Sequence, residues 1–140
     1  MSKTLKIALS QYGIREIKGI KHNPEVLKYF KVLGYEDSRV TDETAWCSAF
    51  ANWVCMKAQA DYSGKLTARS WLKIGKRTQT PKQGDIVVLW RESKNSWKGH
   101  VGFFIKQTDN YIYVLGGNQK DQVNIQAYPK SRLLEFRKVI

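Results

Sequence analysis

The stretch Trp46-Cys47-Ser48-Ala49-Phe50-Ala51-Asn52-Trp53-Val54-Cys55 decides how this chain is read. Phe50, Ala51, Val54, Cys55 and Ala58 recur at helical spacing, which predicts a helix packed on a core. Cys47 falls on the same stripe, near the N-terminal end. Thr41, Asp42 or Thr44 can cap this helix, and the acids Asp42 and Glu43 suit its positive end. Free N–H groups and a partial positive charge at that end favour thiolate. Cys47 is therefore either a packed core residue or a nucleophile. Cys55, two turns deeper beside Val54 and Ala58, reads as core.

Working outward, the first half of the chain reads as helical and the second half as strands. That order favours α+β over alternating α/β. Residues 3–12 form a short helix, and Tyr12 to Gly19 is a loop bounded by glycines. Asn23-Pro24 opens a second helix, with Asn23 as cap and Pro24 in its first turn. Its apolar stripe is Val26, Leu27, Tyr29, Phe30 and Leu33, and Gly34 ends it. Strands are expected at Asp85 to Trp90, His100 to Lys106, Tyr111 to Leu115, Val123 to Gln126 and Phe136 to Ile140. Their sum is an antiparallel sheet with helices on one side.

His100 opens a strand between Gly99 and Gly102, where other backbone or a substrate can approach closely. A strand histidine by itself is an ordinary core or surface residue. The next strand changes that. If the hairpin over Gln107-Thr108-Asp109-Asn110 pairs residues whose numbers sum to 218, His100 faces Asn118. A slip of one residue turns Asn118 to the other face, unless a bulge at Gly116-Gly117 restores it. An amide carbonyl on one ring nitrogen fixes the imidazole tautomer and leaves the other nitrogen to take a proton. Cysteine, histidine and amide, in that order, suggest a thiol hydrolase.

Composition sets the limits. A chain of 140 residues with 42% hydrophobic residues is read as one domain, residues 1–140, with a real core. No apolar run is long enough to span a bilayer, and Met1 to Ser10 does not resemble a secretory signal. On one helix, Cys47 and Cys55 stand about 12 Å apart along the axis, beyond the roughly 7 Å between Cα atoms that a disulfide spans. Only His22 and His100 remain as other soft ligands, without CxxC spacing, so no metal is expected. The net charge of +12 attracts polyanions: nucleic acid, anionic lipid or acidic wall polymers. The basic residues are scattered, so a solvated basic surface explains them as well as a functional patch does.

Three segments together resemble the cysteine/histidine-dependent amidohydrolase-peptidase (CHAP) family and the related NlpC-type cell-wall peptidases. They are Thr44 to Trp53, Pro81 to Leu89, and Gly99-His100-Val101-Gly102-Phe103-Phe104. In the small single-domain bacterial and phage branch, Glu16-Ile17-Lys18-Gly19, His22-Asn23-Pro24 and Leu115-Gly116-Gly117-Asn118-Gln119 are similar too. The resemblance runs from about residue 8 to the C-terminus. It implies a papain-like α+β fold, with the nucleophile at a helix N-terminus packed on an antiparallel sheet. It implies Cys47 as nucleophile, His100 as base and Asn118 as the third member, with Gln119 as the fallback. Where many members carry a glutamate two residues before the asparagine, this chain has Gly116.

The reaction implied is cleavage of an amide bond of bacterial peptidoglycan without a cofactor. Trp46, Trp97 and Gln119 are candidates for binding that substrate. A monomer is expected, with no nucleic acid bound and no membrane insertion. The expected setting is cytoplasmic synthesis, then action on the wall after holin-dependent release as an endolysin or delivery as an antibacterial effector. An effector would have a cognate immunity protein. Two other readings use the same residues differently. One is a thiol enzyme acting on protein amides; the other is a basic nucleic-acid-binding module in which Cys47 is structural.

Overall fold

A computed structural model describes residues 2–15, 23–35 and 46–140 of the protein. Three α-helices come first: α1 (Lys3–Leu9), α2 (Pro24–Lys31) and α3 (Cys47–Lys57). A short 3-10 helix, Ala68–Lys73, leads into six strands: β1 (Lys76–Thr78), β2 (Ile86–Trp90), β3 (Gly99–Gln107), β4 (Tyr111–Gln119), β5 (Gln122–Pro129) and β6 (Leu133–Lys138). They form one sheet in the order β1-β6-β2-β3-β4-β5, and every neighbouring pair is antiparallel. The α+β expectation holds. The strand β1 was not expected from sequence; three residues carry too little pattern to announce themselves.

Local chemistry explains the helix limits. Asn23 caps α2, its side-chain oxygen accepting from the Glu25 N–H at 2.9 Å, and Pro24 occupies the first turn. Gly34 follows the helix with φ +87°, where a side chain would be strained. The caps proposed for α3 at Thr41, Asp42 or Thr44 lie outside the described residues, as do Glu16-Ile17-Lys18-Gly19 and His22. Trp46 precedes α3 and makes no side-chain capping bond.

The main core lies between the helices and the sheet. It joins Leu5, Tyr29, Phe30, Phe50 and Val54 to Ile86, Val88, Val101 and Phe103. Intervening residues of the same strands, Val87, Leu89 and Phe104, join a smaller cluster with Ile112, Val114 and Phe136. The strand β2 is thus buried on both faces, which is why it reads as an unbroken apolar run. Tyr29 ties α2 to α3 through edge contacts with Phe50 and Trp53, at 5.2 and 5.4 Å between ring centroids.

A buried polar network holds the segment after α3. Asn52, wholly buried, donates to the Ser48 and Lys65 carbonyls at 3.0 Å each and accepts from the Gly64 N–H at 2.8 Å. Ser48 Oγ donates to the Lys65 carbonyl at 2.7 Å and accepts from Trp71 Nε1 at 2.9 Å. Every polar atom in the group is paired, so the network orders residues 63–71 against α3. Asn52→Leu strips the Gly64 N–H and the Lys65 carbonyl of a buried partner. Urea denaturation should show a loss of about 1–3 kcal/mol; an unchanged midpoint would contradict this role.

Candidate active site

Cys47 is the first residue of α3 and is buried, 6% exposed. Three backbone N–H groups lie against its sulfur, those of Val101, Ser48 and Cys47 itself. Burial pushes the thiol pKa up; these N–H groups and the positive charge of Arg91 pull against that rise. Cys55 lies two turns on, also buried, and both cysteines are free thiols. Burial, with Asp61 adding to it, raises the Cys55 thiol too, which keeps it inert.

His100 stands in β3 opposite Leu89 of β2, 5% exposed. It is next in the chain to Val101, whose N–H points at Cys47. Its Nε2 lies 2.9 Å from Gln119 Oε1. The orientation of the Gln119 amide follows from its other end. Nε2 of Gln119 donates to the Val114 carbonyl (3.1 Å), the Asn124 carbonyl (2.8 Å) and Asn124 Oδ1 (3.0 Å). Asn124 returns a bond from Nδ2 to the Gln119 carbonyl at 3.0 Å. With acceptors on every side of its nitrogen, Gln119 must present oxygen to the imidazole. His100 therefore carries its proton on Nε2, and Nδ1 is free to accept one.

The residue that meets His100 is thus Gln119 and not Asn118. At the turn the pairing is one residue off the expected register, Lys106 with Tyr113 and Gln107 with Ile112; an irregularity at Ile105 then restores it, so that Phe103 pairs with Leu115 and Phe104 with Val114. Beyond that point β4 pairs with β5, and Gly116↔Asn124 is followed by Gln119↔Gln122. Gly117 and Asn118 together oppose the single residue Val123. That bulge, with Asn118 at φ +60°, reverses the alternation and brings Gln119 to the face of Gly116. Asn118 makes no side-chain hydrogen bond among the described residues. Gly116 leaves the space Gln119 uses: a Cβ there would sit 2.7 Å from Gln119 Oε1 and 3.3 Å from His100 Nε2.

Trp46 also departs from expectation. It is fully buried, stacked on Tyr29 at 6.0 Å, and packs where Gly117 lacks a side chain. It is a core residue, closed off from solvent. Gln119, 2% exposed, is buried against the imidazole. Of the three, Trp97 alone stands open to solvent. It is 71% exposed and lines a cleft of about 240 Å³ together with Cys47, Thr67, Ala68, Arg91 and Lys98. A larger cavity of about 500 Å³, at the other end of α3 around Ala58 and Gly84, includes neither Cys47 nor His100.

Sequence reading missed Tyr128, Asn124, Arg91 and Arg132. The Tyr128 ring lies 5.3 Å from the His100 ring, and the Arg132 guanidinium lies 5.3 Å over the Tyr128 ring. Burial raises the Tyr128 phenol to about 12, so it stays protonated. Alternation along β5 would have suggested an inward face, but nothing local marks these four residues.

Burial lowers the His100 pKa to about 4; the Gln119 bond opposes the fall, while Arg91 and Arg132 add to it. At neutral pH the site therefore rests as a neutral thiol and a neutral imidazole. A buried thiol with backbone N–H groups around it, against the strand that carries an imidazole of fixed tautomer, has the groups that thiol-dependent acyl transfer uses. A family model, the CHAP domain, matches residues 39–118, more than half of the 140-residue chain, and the chain belongs to that family. CHAP domains are generally hydrolases, typically dependent on cysteine and histidine, with peptidoglycan-related amidase or peptidase activity. No curated protein matches the sequence.

The neutral, buried imidazole has a consequence for stability. Between pH 6.5 and about 4 the unfolded chain binds a proton on His100 that the folded chain refuses. Stability therefore falls as pH drops through that window, by about 3 kcal/mol from this group. His100→Gln should flatten that part of the curve in denaturant titrations. An equal slope in the variant would show that His100 is not held neutral.

Proposed function

We propose that the protein is a cysteine amidase or endopeptidase of bacterial peptidoglycan, built on a papain-like arrangement. Cys47 is the nucleophile, His100 the base and Gln119 the residue that orients it. The observation that carries this reading is the His100–Gln119 bond, its amide pinned by Asn124 and Val114, on the strand that meets the N-terminus of α3.

The steps follow from the proton positions. A substrate amide carbonyl enters beside Cys47. His100 Nδ1 takes the thiol proton as sulfur attacks the carbonyl carbon, so charge appears only when the bond forms. The carbonyl oxygen becomes an oxyanion, and the Cys47 N–H at the start of α3 is placed to hold it. The C–N bond then breaks, with the imidazolium proton going to the leaving amine. Water, deprotonated by the same nitrogen, attacks the thioester and frees a carboxylic acid and the thiol. Gln119 keeps Nε2 protonated throughout, so Nδ1 alone exchanges protons. The surplus of positive charge suits an anionic polymer as substrate.

Purified peptidoglycan incubated with wild type should release new amino groups, and Cys47→Ala should release none while keeping its fold. Fragment masses name the bond. Products from the alanine variant, or none from walls of several chemotypes with folded, reduced wild type, would reject the proposal. In the latter case protein amides become the substrates to test. In the same assay Gln119→Ala should lower kcat roughly 10²-fold, and Asn118→Ala should change it little. The reverse ranking would return the third role to Asn118.

A further inference from the structure

Among the described residues, no acidic side chain lines the cleft beside Cys47. Two cations enter it, Arg91 and Lys98, and they differ in one respect. Lys98 Nζ is paired with Glu92 at 3.1 Å. The Arg91 guanidinium has no hydrogen-bond or ion-pair partner among the described residues. Its charge nevertheless reaches Cys47, His100 and Tyr128. The other guanidinium of the site is already engaged: Arg132 Nε donates to the Trp90 carbonyl at 3.1 Å and its plane lies over Tyr128.

The wall that carries Arg91 is held in place. Arg69 donates from Nε to the Lys98 carbonyl (2.8 Å), from one terminal nitrogen to the Lys94 carbonyl (2.7 Å) and from the other to the Ser93 carbonyl (2.8 Å). Gly99 allows this approach, since a Cβ there would sit 3.3 Å from Arg69 Cγ. One guanidinium thus fastens both limbs of the loop between β2 and β3. The loop's exposed groups, Arg91 at its start and Trp97 near its end, are presented without further ordering. A fork of N–H donors left unpaired beside a reactive thiol matches a carboxylate in shape and charge.

We infer that the substrate carries a free carboxylate within one residue of the scissile amide, and that Arg91 binds it. This rests on the thiol-hydrolase reading and specifies its substrate class. Trp97 lies beside the same position and covers the apolar part of that residue.

The test uses pairs of wall fragments identical except that one carboxyl group flanking the cleaved bond is free or converted to carboxamide. Wild type should favour the carboxylate about ten- to a hundredfold in kcat/KM. Arg91→Gln should collapse that preference, and Arg91→Lys should restore part of it by keeping the charge without the fork. Equal turnover of each pair by wild type, or a preference that survives Arg91→Gln, would overturn the inference and leave the hydrolase reading standing. Absence of turnover with every fragment would instead remove the hydrolase reading. Binding to Cys47→Ala, followed by NMR, then decides the point. Carboxylate-selective binding lost in Cys47→Ala/Arg91→Gln supports the site, and unselective binding or none refutes it.

Discussion

The hydrogen bond between His100 and Gln119 is the constraint on which the rest of the site depends. Its direction is imposed from behind, by Asn124 and the Val114 carbonyl, and not chosen by the imidazole. An amide is also neutral. A carboxylate in its place would favour imidazolium, whereas Gln119 only orients the ring. Burial and two guanidinium groups then keep His100 uncharged. The sulfur is treated alike, desolvated and therefore protonated at rest. Such a pair stores no separated charge at rest, and in the proposed mechanism the proton moves only as the new bond forms.

Rigid surroundings make that economy workable. The bulge at Gly117-Asn118 aims Gln119, and the absence of a side chain at Gly116 admits it. On the other side of Cys47, Ser48 and Asn52 bind the segment that ends in Ala68, one wall of the cleft. The opposite wall hangs on Arg69. Paired polar groups stand at each of these places, buried around Asn52 and Gln119 and exposed at Arg69, so the positions of Cys47, His100 and Arg91 are set by bonded neighbours and not by packing alone.

Much of this was legible in the sequence because it is periodic or local. The Asn23-Pro24 start of α2, the stripe of α3, the double-sided run of β2 and the hairpin joining β3 to β4 each announce themselves within a few residues. Cys47 at a helix start and His100 at a strand start followed from the same patterns. The third member did not. A strand's alternation survives only until a bulge, and one extra residue at Gly117-Asn118 exchanged Asn118 for Gln119. The turn after it, Lys120-Asp121, has positive φ at both residues without the glycine or asparagine that normally signals one. Trp46 misled for another reason: adjacency to Cys47 in sequence says nothing of which way an indole points. Tyr128, Asn124 and Arg91 reach the site through sheet pairing and loop closure, which no short window contains.

The most direct measurement is the tautomer of His100, read from the 15N shifts of its imidazole in the folded, reduced protein across a pH series. The account predicts a proton on Nε2 and a bare Nδ1 from neutral pH down to the neighbourhood of pH 4, with that pattern lost in Gln119→Ala. A proton on Nδ1, or an imidazolium already formed near neutral pH, would contradict it.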